Sequence, residues 1–199
     1  MISVAGPVIL LTVADEADYQ DQAASGGKAV RFVELSSAAM SALLAGNLAE
    51  ASRKAGVALT LYFLTDDALR LWRLRVSQLA ADPGSARWVA RAVVAEPEGV
   101  VVGHAGFHGP PDETGMVEIA YSVDPAYRRR GYARAMLREL LRRAAAEPGV
   151  NTVRATISPD NAASLATISG FGFAEVGEQW DEEDGRELIF EIALGASPR

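Results

Sequence analysis

The chain has 199 residues, 49% of them hydrophobic, and a formal net charge of −7. That length suits one well-buried core, and the acidic balance argues against a nucleic-acid surface, which needs basic side chains over many phosphate contacts. Cysteine is absent, which excludes disulfides, thiolate metal ligands and a cysteine nucleophile, and fits a reducing, cytoplasmic compartment.

Residues 1–28 combine an apolar patch with an acidic, glycine-ending stretch and read as an N-terminal extension of uncertain structure; residues 29–199 read as a single domain. The apolar run at 8–13 is too short to cross a bilayer and no Lys or Arg precedes Lys28, so neither a membrane span nor an export signal is expected. Alternation at 31–35 predicts a short strand. Ser36-Ser37 then caps a helix carrying Ala38, Met40, Leu43 and Leu44, ended by Gly46-Asn47. A second short helix is expected over 48–54, closed by Gly56. Thr65-Asp66-Asp67 caps a third, with Leu69, Trp72, Leu74, Val76 and Leu79 as its apolar positions and Asp82-Pro83-Gly84 as its stop.

Three strands follow, over 88–95, 100–107 and 116–123, and their short turns require them to be largely antiparallel. A long helix over 130–146, a strand over 153–157, a short helix over 162–169 and a hairpin of strands over 173–180 and 187–194 complete the pattern. The strand–helix–strand passage from 116 makes a crossover, so that part of the sheet is parallel. The expected fold is α/β, with a mixed, partly antiparallel sheet and helices on both faces.

The junction at 117–146 breaks two local rules. Arg128, Arg129 and Arg130 put cations at a helix N-terminus, opposing the macrodipole by roughly 0.3–1 kcal/mol each. Gly131 in the first turn costs up to about 1 kcal/mol against alanine. A bound anion removes the first objection, and a need for bare backbone N–H groups explains the second. One small polyanion, such as a nucleotide or pyrophosphate, suits a local basic cluster on an acidic chain.

Arg128-x-x-Gly131-x-Ala133 follows Val117-Glu118-Ile119-Ala120-Tyr121, and Pro159-Asp160-Asn161-x-x-Ser164 and Gly170-Phe171-Gly172-Phe173 come after it. In that order and spacing the motifs resemble the GNAT superfamily of N-acetyltransferases, especially the branch of the ribosomal-protein N-terminal acetyltransferases. The resemblance implies a GNAT-like fold that binds acetyl-coenzyme A and passes the acetyl group directly to an amine. It implies that backbone N–H groups of Arg129, Arg130, Gly131, Tyr132 and Ala133 cradle the pyrophosphate. The side chains of Arg128 to Arg130 would add charge there, one of them reaching the 3′-phosphate. Ser122 and Val123 would pair with the pantetheine arm, a Val123 N–H would polarise the thioester carbonyl, and Asn161 would touch the arm from the other side. The acceptor pocket would be built from residues 36–82 and the closing hairpin.

Direct transfer needs a neutral amine, and neutralising a lysine-like amine at pH 7 costs about 4.6 kcal/mol against about 1–1.5 for an α-amine. Glu118 is the implied base, acting through water; its alternative role is to hold neighbouring loops by hydrogen bonds. Many relatives protonate the leaving thiolate with a tyrosine seven residues beyond the asparagine, a position held here by Ile168. Ser164 is the implied substitute, against helix-start hydrogen bonding or protonation by solvent. His104 and His108 lie four apart on a strand, but with no cysteine and no supporting carboxylates they do not make a metal site. Trp72, Trp88 and Trp180 read as core or pocket wall, and the acidic turn at 181–185 as a solvated tip that would favour a cationic substrate. Acetyl-coenzyme A and a primary amine are thus the expected partners, the amine belonging to a protein N-terminus, an aminoglycoside-like molecule, an amino acid or a polyamine, with no metal, nucleic acid or membrane, and a homodimer is compatible. The rivals are a non-catalytic acyl-coenzyme A sensor with the same fold and, more remotely, a dinucleotide oxidoreductase, for which the G-x-G-x-x-G pattern is missing.

Overall fold

The structure is a computed structural model and describes residues 27–89, 91–182 and 185–195, so nearly all of the N-terminal extension lies outside the described residues. In chain order come β1 (Ala29–Glu34), α1 (Ser37–Leu44), α2 (Leu48–Ala55), α3 (Asp66–Ala81), β2 (Arg91–Glu96), β3 (Val101–Phe107) and β4 (Met116–Val123). They are followed by α4 (Tyr132–Ala145), β5 (Thr152–Ile157), α5 (Ala162–Ile168), β6 (Ala174–Asp181) and β7 (Gly185–Ala193). Among the described residues the strands form one seven-stranded sheet in the order β1-β2-β3-β4-β5-β7-β6.

The helices start where a short polar side chain can accept a free N–H. Ser36 accepts from Ala39, Asn47 from Glu50, Thr65 from Ala68 and Asn161 from Ser164. Gly56, in the left-handed conformation at φ 70°, ends α2. One strand begins later than expected. Asp82 caps a 3-10 turn over Pro83–Arg87 that continues hydrogen bonding through Trp88 and Val89, so β2 starts at Arg91 rather than at 88.

All neighbouring strands are antiparallel except β4 and β5, which pair in parallel only at Met116, Val117 and Glu118. Beyond Glu118 the two part, while β5 keeps its ladder to β7 as far as Ile157. Side-chain alternation then sorts the sheet. Val117, Ile119 and Val153 face α4, whose Met136 methyl packs beneath Gly103. His104, Glu118, Ala120 and Ser122 face the opposite side, where the Trp72 ring of α3 meets His104 edge-on at 5.1 Å. Helices thus cover both faces.

Two apolar residues fall outside the expected core. Leu74 of α3 is 58% exposed, because the helical period turns it away from the buried Ala68, Trp72 and Leu79. Trp180 is 78% exposed on β6, the edge strand, and so is neither core nor pocket wall; Trp72 and Trp88 are buried.

Candidate active site

Where β4 leaves β5, backbone groups lose their partners. Asp124 N–H donates to Val102 C=O and His108 N–H to Glu118 C=O. The even-numbered positions of β4 therefore turn their backbone toward β3, and period 2 turns Ile119, Tyr121 and Val123 toward the gap. Val123 thus turns its backbone toward the gap, with its N–H lacking a strand partner. Ser122 does not: its backbone belongs to the β3 ladder opposite His104, and the second free residue is Tyr121. The Ser122 hydroxyl is hydrogen-bonded to Tyr62 instead.

The strand end passes through Asp124, which accepts from Ala126 N–H at 3.0 Å and from the Thr60 hydroxyl at 2.8 Å, into the arginine loop. Arg128 folds back to donate from Nε to Val123 C=O at 3.1 Å. Arg129 sits at φ 59°, unusual for a side-chain-bearing residue, and Gly131 at φ 87°. A chain that alternates in this way gathers its N–H groups into a concavity suited to anions. Gly131 occupies the N-cap of α4, supplies no side-chain cap, and leaves the first-turn N–H groups of Tyr132 and Ala133 without intrahelical partners. Arg128, Arg129, Arg130 and Gly131 are all exposed. Arg134 lies above Phe171, 4.9 Å from the ring centroid, with its guanidinium resting against Gly170.

Between the parted strands and α5 lies a cleft of about 250 Å³, walled by Tyr121, Ala120, Thr156, Asn161, Ser164 and Glu187, among others. Asn161 spends its side-chain oxygen on Ser164 N–H at 3.0 Å, leaving its amide nitrogen for the cleft. Glu118 stands just behind this lining. The Thr156 hydroxyl donates to its Oε1 at 2.5 Å, and His108 Nδ1 lies 3.8 Å from Oε2. It therefore clasps β5 at the point of separation and backs a histidine that does line the cleft. Although its side chain is 51% exposed, desolvation of the ring pushes the His108 imidazole below its ordinary value against the pull of Glu118, which favours the neutral form.

Ile168 is buried at 3% exposure, but the cleft has another phenol. The Tyr121 hydroxyl is buried and, among the described residues, meets no partner at full hydrogen-bond geometry; burial raises its pKa, and the nearby Thr167 and Ser164 hydroxyls oppose the rise. His104 stacks on Tyr62 with ring centroids 5.6 Å apart, packs against Phe63 and Trp72, and is held down to about 4 by burial and then by Arg75. His104 and His108 do share a face, yet among the described residues no group of three or more His, Asp or Glu is placed to hold a metal. Sequence reasoning missed Tyr121, Thr156, His108 as a base, and Arg75. The legible signal for Arg75 was a charge at i+3 from Trp72 and i−4 from Leu79, inside an apolar stripe.

A strand edge freed beside an uncapped, glycine-led helix defines an α/β protein with an anion cradle at a strand–helix junction. The chain belongs to the GNAT acetyltransferase family: the acetyltransferase (GNAT) domain model matches residues 38–174. It is 36% identical over 73 residues to the uncharacterized N-acetyltransferase YjdG of Bacillus subtilis, a match covering 37% of this chain and 44% of that protein. It is 30% identical over 138 residues to an L-2,4-diaminobutyric acid acetyltransferase of Streptomyces coelicolor, covering 64% of this chain and 78% of that one. In fold it resembles Mycobacterium smegmatis RimJ in complex with CoA-disulfide, with a TM-score of 0.60 and 19% identity over 87% of this chain and 88% of that chain. Among the described residues no helix is long and apolar enough to cross a membrane.

Proposed function

We propose that the protein is an acetyl-coenzyme A-dependent N-acetyltransferase that moves the acetyl group directly to a primary amine. The observation that carries this reading is the cleft that opens where β4 parts from β5, lined by Tyr121, His108, Asn161 and Glu187. The residues fit the cofactor: the first turn of α4 is uncapped, and Gly131 presents no side chain where phosphate oxygens would lie.

Acetyl-coenzyme A supplies the acetyl group as a thioester. Backbone N–H groups of Arg129 to Ala133 hold the phosphates, the arginine side chains add charge, and Val123 N–H is aimed at the position of the thioester oxygen. The amine loses its proton to the His108–Glu118 pair, with neutral His108 facing the acceptor and Glu118 stabilising the imidazolium. The apo separation of 3.8 Å is one that a bound substrate can tighten. As the C–N bond forms and the C–S bond breaks, the Tyr121 hydroxyl donates a proton to sulfur, with Ser164 beside it. The chain has no cysteine to carry the acetyl group, in keeping with a direct route. The test is thiol release from acetyl-coenzyme A across a panel of amines. Acceptor-dependent release supports transfer; binding without release identifies the sensor.

A further inference from the structure

Arg75 is a charge in the wrong place for a purely structural residue. It projects from the buried stripe of α3 and is 6% exposed, yet among the described residues no carboxylate pairs with it. Among the described residues its hydrogen bonds run from Nη1, to Gln78 Oε1 at 2.7 Å and to His108 C=O at 2.9 Å. A guanidinium stays protonated in a protein, and burying it without a counter-charge is costly. The link to His108 does not need the charge, because the neutral amide of Gln78 donates to the same carbonyl at 2.8 Å.

Arg75 also borders space. Together with Leu71, Trp72, His104, Gly106 and Ala120 it lines a hollow of about 20 Å³, room for one oxygen-sized group. Gly106 and Ala120 lie opposite one another across β3 and β4, and their lack of bulk makes the hollow. Ala120 lines the larger cleft as well, so the two spaces share a wall residue. His108 links them, giving its carbonyl to Arg75 and itself lining the cleft.

We infer that Arg75 binds a carboxylate of the acceptor, so that the amine acetylated belongs to a small amino acid. This rests on the acetyl-transfer reading. The carboxylate supplies the missing counter-charge with one oxygen in the hollow, while the amine lies within one residue's span, at His108. An acceptor that is only cationic would leave Arg75 unpaired and bring a like charge beside it.

The test compares acceptors that differ only by the carboxylate: 2,4-diaminobutyrate with 1,3-diaminopropane, and ornithine with putrescine. The wild type should favour the carboxylate-bearing member of each pair in kcat/KM by about tenfold to a hundredfold, the range for a hydrogen bond to a charged group. Arg75→Met should collapse that ratio, chiefly through KM for the amino acids, and Arg75→Lys should keep part of it. Equal or better turnover of the diamines by the wild type overturns the proposal and leaves acetyl transfer standing; that comparison needs no variant to fold. Loss of activity in Arg75→Met with the ratio intact assigns Arg75 a structural role and also overturns it. Thiol release with none of the four acceptors counts against acetyl transfer, and against this inference with it.

Discussion

Replacing His104 with phenylalanine should flatten the acid limb of the protein's stability. The imidazole is enclosed by Tyr62, Phe63 and Trp72 and titrates at about 4, down from 6.5. Between those values the unfolded chain binds a proton that the folded chain refuses, so stability falls as pH drops from 6.5 toward 4. Integrating between the two pKa values gives a loss of about 2 kcal/mol from pH 7 to pH 5 for this residue alone. Phenylalanine keeps a ring for Tyr62 and Trp72 to pack on and removes the titration. Urea unfolding of both proteins at pH 7, 6 and 5 isolates the difference, since the carboxylates are common to the two. The gap between the curves should change by about 2 kcal/mol in favour of the variant as pH falls. Parallel curves, or a His104 resonance titrating near 6.5, would refute the reasoning.

Acetyl-coenzyme A should raise the melting temperature, by an amount corresponding to about 2.7 kcal/mol at one hundred times Kd, and Gly131→Glu should abolish the shift by placing a side chain and a negative charge in the cradle. No wild-type shift at millimolar ligand would remove the cofactor assignment. Tyr121→Phe should lower kcat by about a hundredfold with KM little changed, the scale of a lost general acid; an unaltered kcat would hand the proton to solvent or to Ser164. Glu118→Gln should slow alkylamines far more than α-amines, because only the former need about 4.6 kcal/mol of deprotonation at pH 7. Equal effects on both classes would leave Glu118 as the clasp to Thr156 alone.

The elements were legible wherever local chemistry decides them. Capping by Ser36, Thr65 and Asn161, stops at Gly56 and Pro83, and alternation in β4 all lie within a few residues of the feature they specify; Asn47, read as a helix stop, also caps the next helix. The uncapped start of α4 was legible for the same reason, as cations and a glycine that violate helix-start preferences. What the sequence hid depends on partners distant in the chain. Thr156 meets Glu118 across 38 positions, and His108 meets the same carboxylate from the neighbouring strand. Tyr121 reaches the cleft only because β4 parts from β5. Trp180 was misplaced because the register cannot say which strand ends the sheet.

The most direct measurement follows free thiol from acetyl-coenzyme A with and without amine, for the wild type and for Glu118→Gln. Release that requires the amine, and that falls in the variant most for alkylamines, is the predicted result. A protein that acetyl-coenzyme A stabilises against heat but that releases no thiol with any amine would contradict the account and leave a sensor in its place.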